Sequence, residues 1–226
     1  MTAKRRVDRR LLSLKVERNA RQRIDAVELL SRLPDRIARL VVCDPQYRTG
    51  LDQLKFGNEG ARQQGRAKLP QMTDDMIAFL IEEAERVLHP SGHLFLWVDK
   101  FSIGSGQHLK YLRRARKFRV VDVLCWNKMA IGMGRRLRCV TEYLIVCQKE
   151  PHIAKGTWTD HRISDCWYEA RNSPRHPHAK PHILTDRLIR AVTDRGDLVV
   201  DPCAGGYGVL EACQLSGREF IGGDLL

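Results

Sequence analysis

Leu40-Val41-Val42-Cys43 sets four apolar residues in a row and leaves no position to face water, so it reads as a short strand buried on both faces. Strands of that kind belong to largely parallel sheets with helices packed on each side. Asp44-Pro45 stops it, because proline cannot extend a central ladder and restricts the residue before it. A carboxylate, a rigid carbonyl, an amide and a ring, from Asp44, Pro45, Gln46 and Tyr47, are thereby crowded at the carboxyl end of a strand. That edge is where open α/β sheets bind ligands. An ordinary strand-ending turn with Tyr47 packed over it would look the same at this stage.

The rest of the chain alternates helix and strand. Ile24–Leu33 carries apolar residues at helical spacing and is ended by Pro34. Thr73–Leu88 is predicted as a helix with Thr73 as its cap, Asp74 and Asp75 in its first turn, and a buried stripe from Met76 to Leu88. Pro90-Ser91-Gly92 reads as a turn into a strand at His93–Val98, followed by a basic helix over Gln107–Lys117. Val120–Trp126 and Glu142–Cys147 are further strands, and Ile183–Arg195 is a helix. The expected fold class is α/β, a mostly parallel sheet covered on both faces, in one domain over residues 24–226.

Charge points to the partner. A formal net charge of +12 suits a polyanion, most simply nucleic acid. Nine Lys/Arg against two acids fall within Met1–Arg23, which reads as a basic interaction arm, with a mitochondrial presequence as the rival. The polar stretch that follows Tyr47, residues 48–72, holds Arg48, Lys55, Arg62, Arg66 and Lys68 and is either a DNA-contacting loop or an insertion. Arg135 and Arg136 lie between two strands in Asn127–Val140, and the irregular stretch Glu150–Arg175 holds Trp158, Trp167 and Tyr168, which suit base stacking and phosphate contact or a small peripheral cluster. Seven cysteines without a C-x-x-C pair suggest reduced core thiols in a cytoplasmic, nucleoid-associated protein, with no metal site. No run is long enough to span a membrane, and a homodimer is left open.

The last fifty residues carry the strongest pattern. Asp197–Asp201 reads as a buried strand, Pro202-Cys203-Ala204-Gly205-Gly206 as a tight loop, residues to Leu215 as a helix, and Glu219–Gly223 as a second strand tipped by Asp224. Glycines admit a nucleotide-like ligand close to the backbone, and an acid after the next strand can accept both ribose hydroxyls. A dehydrogenase is the natural rival, but the loop is not G-x-G-x-x-G, and little sequence follows Asp224, so catalytic residues are sought upstream.

With that order, the chain resembles the β-class DNA amino-methyltransferases over about residues 24–226. Asp44-Pro45-Gln46-Tyr47 is similar to their D-P-P-Y tetrapeptide, His176-Pro177-His178-Ala179-Lys180-Pro181 to their H-P-x-x-K-P segment, and Asp201–Gly206 to their D-P-F-A-G-S loop. Gln46 departs from the second proline, Cys203 from the usual Phe, and Tyr207 stands at a customary glycine. The resemblance implies a Rossmann-like methyltransferase fold with the catalytic half first and a short variable recognition region over about residues 129–175. It implies S-adenosylmethionine (SAM) held by Asp44, His176, Lys180, Asp201, Pro202, Ala204, Gly205, Gly206 and Asp224. It also implies a base flipped out of double-stranded DNA, its amine donating to Asp44 and the Pro45 carbonyl, with Tyr47 stacked upon it. Asp rather than Ser at position 44 goes mostly with adenine N6 in that family. Cytosine N4, an RNA adenine substrate, and an inert nucleic-acid-binding scaffold are the alternatives.

Overall fold

The computed structural model describes residues 16–46, 72–132, 136–170 and 179–225. In chain order they form helix α1 (Ala26–Arg32), strand β1 (Ala38–Cys43), helix α2 (Asp74–Val87) and strand β2 (Leu88–Val98). Helices α3 (Lys100–Ser105) and α4 (Gln107–Leu112) follow, then strands β3 (Phe118–Gly132), β4 (Cys139–Lys149) and β5 (Cys166–Tyr168). Helix α5 (His182–Val192), strand β6 (Leu198–Asp201), helix α6 (Gly208–Ser216) and strand β7 (Glu219–Gly222) complete the series.

All seven strands share one sheet in the order β5-β3-β4-β2-β1-β6-β7. The apolar run of β1 lies between β2 and β6, parallel to both, which is why neither of its faces could be polar. Val41 and Cys43 face a core with α1, α2 and Tyr111 of α4. Leu40 and Val42 face the opposite core with α5 and α6. Fully burying each such side chain is worth about 1.5–3 kcal/mol, so the strand carrying Asp44 is among the most firmly held. Helix α2 starts where expected: the Thr73 hydroxyl accepts from Met76 N–H at 3.3 Å, a cap worth about 1 kcal/mol.

Three elements differ from expectation. Pro90-Ser91-Gly92 is no free turn but a bulge inside β2, with Ala38 opposite Leu88 and Leu40 already opposite His93. Ser91 takes a left-handed φ of 60° there, and its hydroxyl donates to the Pro151 carbonyl at 2.6 Å. The predicted helix over Gln107–Lys117 starts on time but ends at Leu112. Finally, β4 runs antiparallel to both β2 and β3. An antiparallel partner needs only a short turn, whereas a parallel return needs a long crossover. Much of the apparently irregular stretch after Trp126 is therefore the far end of a β3–β4 hairpin.

The chain before α1 lines the outer strand. Asn19 N–H donates to the Phe220 carbonyl at 2.8 Å and its side chain accepts from Phe220 N–H at 2.8 Å, while Arg23 bridges to Asp224. Residues 19–24 thus satisfy backbone groups that an open β7 edge would expose.

Candidate active site

Because β1, β6 and β7 are parallel, their carboxyl ends lie along one edge of the sheet, and each ends in or just before an acid: Asp44, Asp201 and Asp224. Asp201 is buried; its Oδ1 accepts from Cys203 N–H at 3.1 Å. Burial, with the charges of Asp44 and Asp224 nearby, pushes its carboxyl up to about 8. The loop after it is laced to β7, with Ala204 N–H donating to the Gly223 carbonyl at 3.0 Å and Gly205 N–H to Asp224 Oδ2 at 2.9 Å. Pro202 and Ala204 are buried and Gly206 is exposed. Close approach is built in: a Cβ on Gly222 would lie 2.5 Å from the Asp201 carbonyl oxygen.

The departures from the family pattern are accommodated. Tyr207 adopts φ 60°, a conformation glycine reaches without strain. Its ring packs edge-on against Phe220 at 6.3 Å, and its hydroxyl donates to the Gln22 carbonyl at 2.9 Å. Those contacts hold a side chain where the loop needs only a turn. Cys203 shares a thiol hydrogen bond with Cys43; that bond and burial raise its pKa well above the ordinary thiol range. All seven cysteines are free thiols.

Asp44 is served from the other half of the sheet. Lys180 Nζ lies 2.8 Å from Asp44 Oδ2 and 2.9 Å from Glu142 Oε2, while Lys128 Nζ lies 3.3 Å from Glu142 Oε1. The Lys180 ammonium also stands 5.1 Å from the centre of the Trp97 ring, which is edge-on to Trp126 at 5.9 Å. Burial would lower the Lys180 pKa, but Asp44 and Glu142 outweigh it and hold the ammonium above its usual range. Burial likewise works to raise Glu142, yet Lys180 and Lys128 prevail and hold it at about 2. Lys180 is itself set in place by the start of α5, whose Ile183 and Leu184 N–H groups donate to the Glu169 carboxylate at 2.8 and 3.0 Å. The resemblance put Lys180 beside the cofactor; its described partners are Asp44 and Glu142.

Glu142, Lys128, Trp97 and Glu169 were not singled out as site residues from the sequence. The available signal was Glu142 opening an apolar strand across a hairpin from Lys128, but it needs the β3–β4 pairing to be seen. Pro45 is buried, Gln46 is exposed, and the Gln46 carbonyl accepts from Met72 N–H at 3.0 Å. Arg136 is exposed on the hairpin. Tyr47, Arg48, Lys55, Arg62, Arg66, Lys68, Arg135 and His176 lie outside the described residues, as does Met1–Lys15 of the basic start. Among the described residues no cluster of His, Cys, Asp and Glu is placed to hold a metal, and no helix is long and apolar enough to cross a membrane.

Comparison with known proteins gives this edge a context. The type II methyltransferase M.HhaII of Haemophilus parahaemolyticus is 47% identical over 209 residues, covering 92% of this chain and 91% of its own. Among solved structures, TTHA0409 of Thermus thermophilus complexed with S-adenosyl-L-methionine superposes with a TM-score of 0.64 at 22% identity, covering 91% of this chain and 87% of that one. The cytosine-N4-specific PvuII DNA methyltransferase has a TM-score of 0.65 at 15% identity, covering 94% and 83%. These likenesses fix the fold as the Rossmann-like one of SAM-dependent methyltransferases. A DNA methylase family model for N6 and N4 enzymes matches residues 38–225. The chain belongs to the N6/N4 DNA methylase family.

Proposed function

We propose that this DNA methyltransferase transfers the methyl group of SAM to the exocyclic N6 of adenine in double-stranded DNA. The observation that carries the reading is the placement of Asp44: its Oδ2 is engaged by Lys180, while no described residue bonds its Oδ1. A carboxylate so held keeps one oxygen to accept a hydrogen bond from an incoming amine.

The acids along the edge fit SAM by their chemistry. Asp44, Asp201 and Asp224 put three carboxyl groups together in a protein of net charge +12, and their mutual repulsion contributes to the raised Asp201 value. A ligand with cationic groups and two ribose hydroxyls relieves that repulsion and uses Asp224 as an acceptor. Asp224 and the loop Asp201–Gly206 would hold it, with His176 at its methionine end. When bound, SAM supplies a methyl already activated by its sulfonium.

The remaining work falls to the chain. An exocyclic base nitrogen is a poor nucleophile because its lone pair is delocalised into the ring. Hydrogen bonds from its two N–H groups to Asp44 Oδ1 and the Pro45 carbonyl favour tetrahedral nitrogen and aim its lone pair along the line of transfer, and Asp44 Oδ1 stands where it can take up the proton that the nitrogen sheds once methylated. Tyr47 stacks on the flipped base, worth about 1–3 kcal/mol. Asp at position 44 and the broad ring at 47 favour the purine.

The test is transfer from tritiated SAM to duplex DNA and to RNA, followed by nucleoside mass spectrometry. N6-methyladenine from duplex DNA is expected. A 4-methylcytosine peak without N6-methyladenine overturns the adenine assignment and leaves the role of Asp44 standing.

A further inference from the structure

The β3–β4 hairpin overhangs the catalytic edge. Val98, at the end of β2, pairs with Tyr143 of β4, and β1 ends beside β2 with Cys43 opposite Leu96. Pairing of β3 with β4 continues past Tyr143, from Asn127 opposite Thr141 to Gly132 opposite Cys139. At about 3.3 Å per residue the hairpin therefore extends roughly 13 Å beyond β2, on the side of the sheet edge that carries Asp44.

Among the described residues of its outer end, three apolar side chains are exposed. Ile131 and Leu137 are each 78% exposed and Met129 is 66% exposed. The backbone is shaped to turn them out: Met129 takes φ 52°, its N–H donates to Asn127 Oδ1 at 2.9 Å, and the ladder slips between Asn127 and Gly132. Lys128, just before Met129 in sequence, instead turns inward to Glu142. Exposed Arg136 and Arg138 flank Leu137. An apolar surface bordered by cations suits a partner that is anionic outside and apolar inside. A stacked duplex has that character, with phosphates around a core of base faces.

We propose that Ile131 and Leu137, supported by Met129, form a wedge that enters the duplex beside the target base while Arg136 and Arg138 engage the flanking phosphates. This rests on the reading that the base is flipped out of double-stranded DNA. Extruding a base opens a gap in the stack, and apolar side chains that fill such gaps lower the cost of unstacking.

The test uses the double variant Ile131→Ala/Leu137→Ala, whose changes are exposed, with thermal melting to verify the fold. Two duplexes are compared: a fully paired one bearing the methylated sequence, and the same one with an abasic position opposite the target, where extrusion is cheap. The variant should lose on the order of tenfold or more in kcat on the paired duplex and recover most of it on the abasic one. Equal losses on both duplexes, no loss on either, or a change in oligomeric state by sedimentation would each overturn the wedge, the last by assigning these residues to a second copy of the chain. If the wild-type protein transfers no methyl to duplex DNA, the functional reading fails by itself. Relaxation of plasmid by topoisomerase in the presence of the protein then decides the wedge: unwinding by wild type and not by the variant supports it, and no unwinding by either refutes it.

Discussion

The two halves of the sheet do different work at one edge. In the parallel half, β6 and β7 present Asp201 and Asp224 from the tips of strands joined by the loop and helix α6, within two dozen residues of sequence. In the antiparallel half, β3, β4 and the approach to α5 send Lys128, Glu142 and Lys180 from three separate segments to hold one oxygen of Asp44. One half concentrates negative charge and suits a cationic cofactor. The other brings two ammonium groups to two carboxylates and orients a hydrogen-bond acceptor. Asp44, at the end of the strand between β2 and β6, belongs to both.

The sharpest break of that division is Asp44→Ala. It removes an acceptor that matters most when the amine becomes tetrahedral, while the acids of the parallel half remain. Turnover should fall by at least ~10²–10³, on the scale of losing one preorganised donor at an oxyanion. Calorimetry should show SAM affinity falling far less than turnover, because Asp201 and Asp224 remain. Retained turnover would remove Asp44 from the centre of the mechanism.

The same division explains what the sequence disclosed. The Asp201–Asp224 unit is local: strand, tight loop, helix and strand leave a pattern of apolar runs, glycines and terminal acids within one window. The buried run before Asp44 was legible for the same reason, since two-sided burial leaves no polar residue to misread. The clamp on Asp44 is non-local. Glu142 lies 38 residues from Lys180 in sequence, and neither position shows its purpose until the hairpin folds β4 back beside β2. The bulge in β2 was missed because Pro-Ser-Gly is turn chemistry wherever it occurs, and only the register with β1 shows that the strand continues beyond it.

A smaller effect is expected from Glu142→Gln, which keeps the volume and removes the charge that shares Lys180 with Asp44. Lys180 is then less firmly placed, and Asp44 with it. A loss of about tenfold in kcat with KM for DNA unchanged is expected, below the ~10² that a 1 Å misplacement can cost, and Glu142→Asp should restore part of it. The acid limb of the stability curve gives a second readout. Glu142 has a folded pKa of about 2, below its ordinary 4.5, so its contribution is present above that ordinary value and is lost as pH falls toward 2. The stability gap between wild type and Glu142→Gln should narrow over that window. An unchanged kcat would confine Glu142 to folding.

The smallest effect concerns the cofactor half and the proton on Asp201. Its folded pKa of about 8 lies above the ordinary 3.8, so near neutrality the native protein carries a proton there that the unfolded chain has released. Native binding of the extra proton means that this group's contribution to stability is full below about 3.8 and declines as pH rises toward 8. A cation bound beside the carboxyl favours its ionised form, so SAM binding should expel part of that proton. Release of about half a proton corresponds to an affinity that rises about threefold per pH unit below 8. Calorimetry at pH 6.5 in two buffers of different ionisation heat reads the release directly. The apparent enthalpy should differ between the buffers for wild type and coincide for Asp201→Asn, whose amide cannot titrate. If the wild-type enthalpies coincide as well, the acids of the parallel half do not meet the cationic part of the cofactor, and their role reduces to holding the loop between β6 and α6.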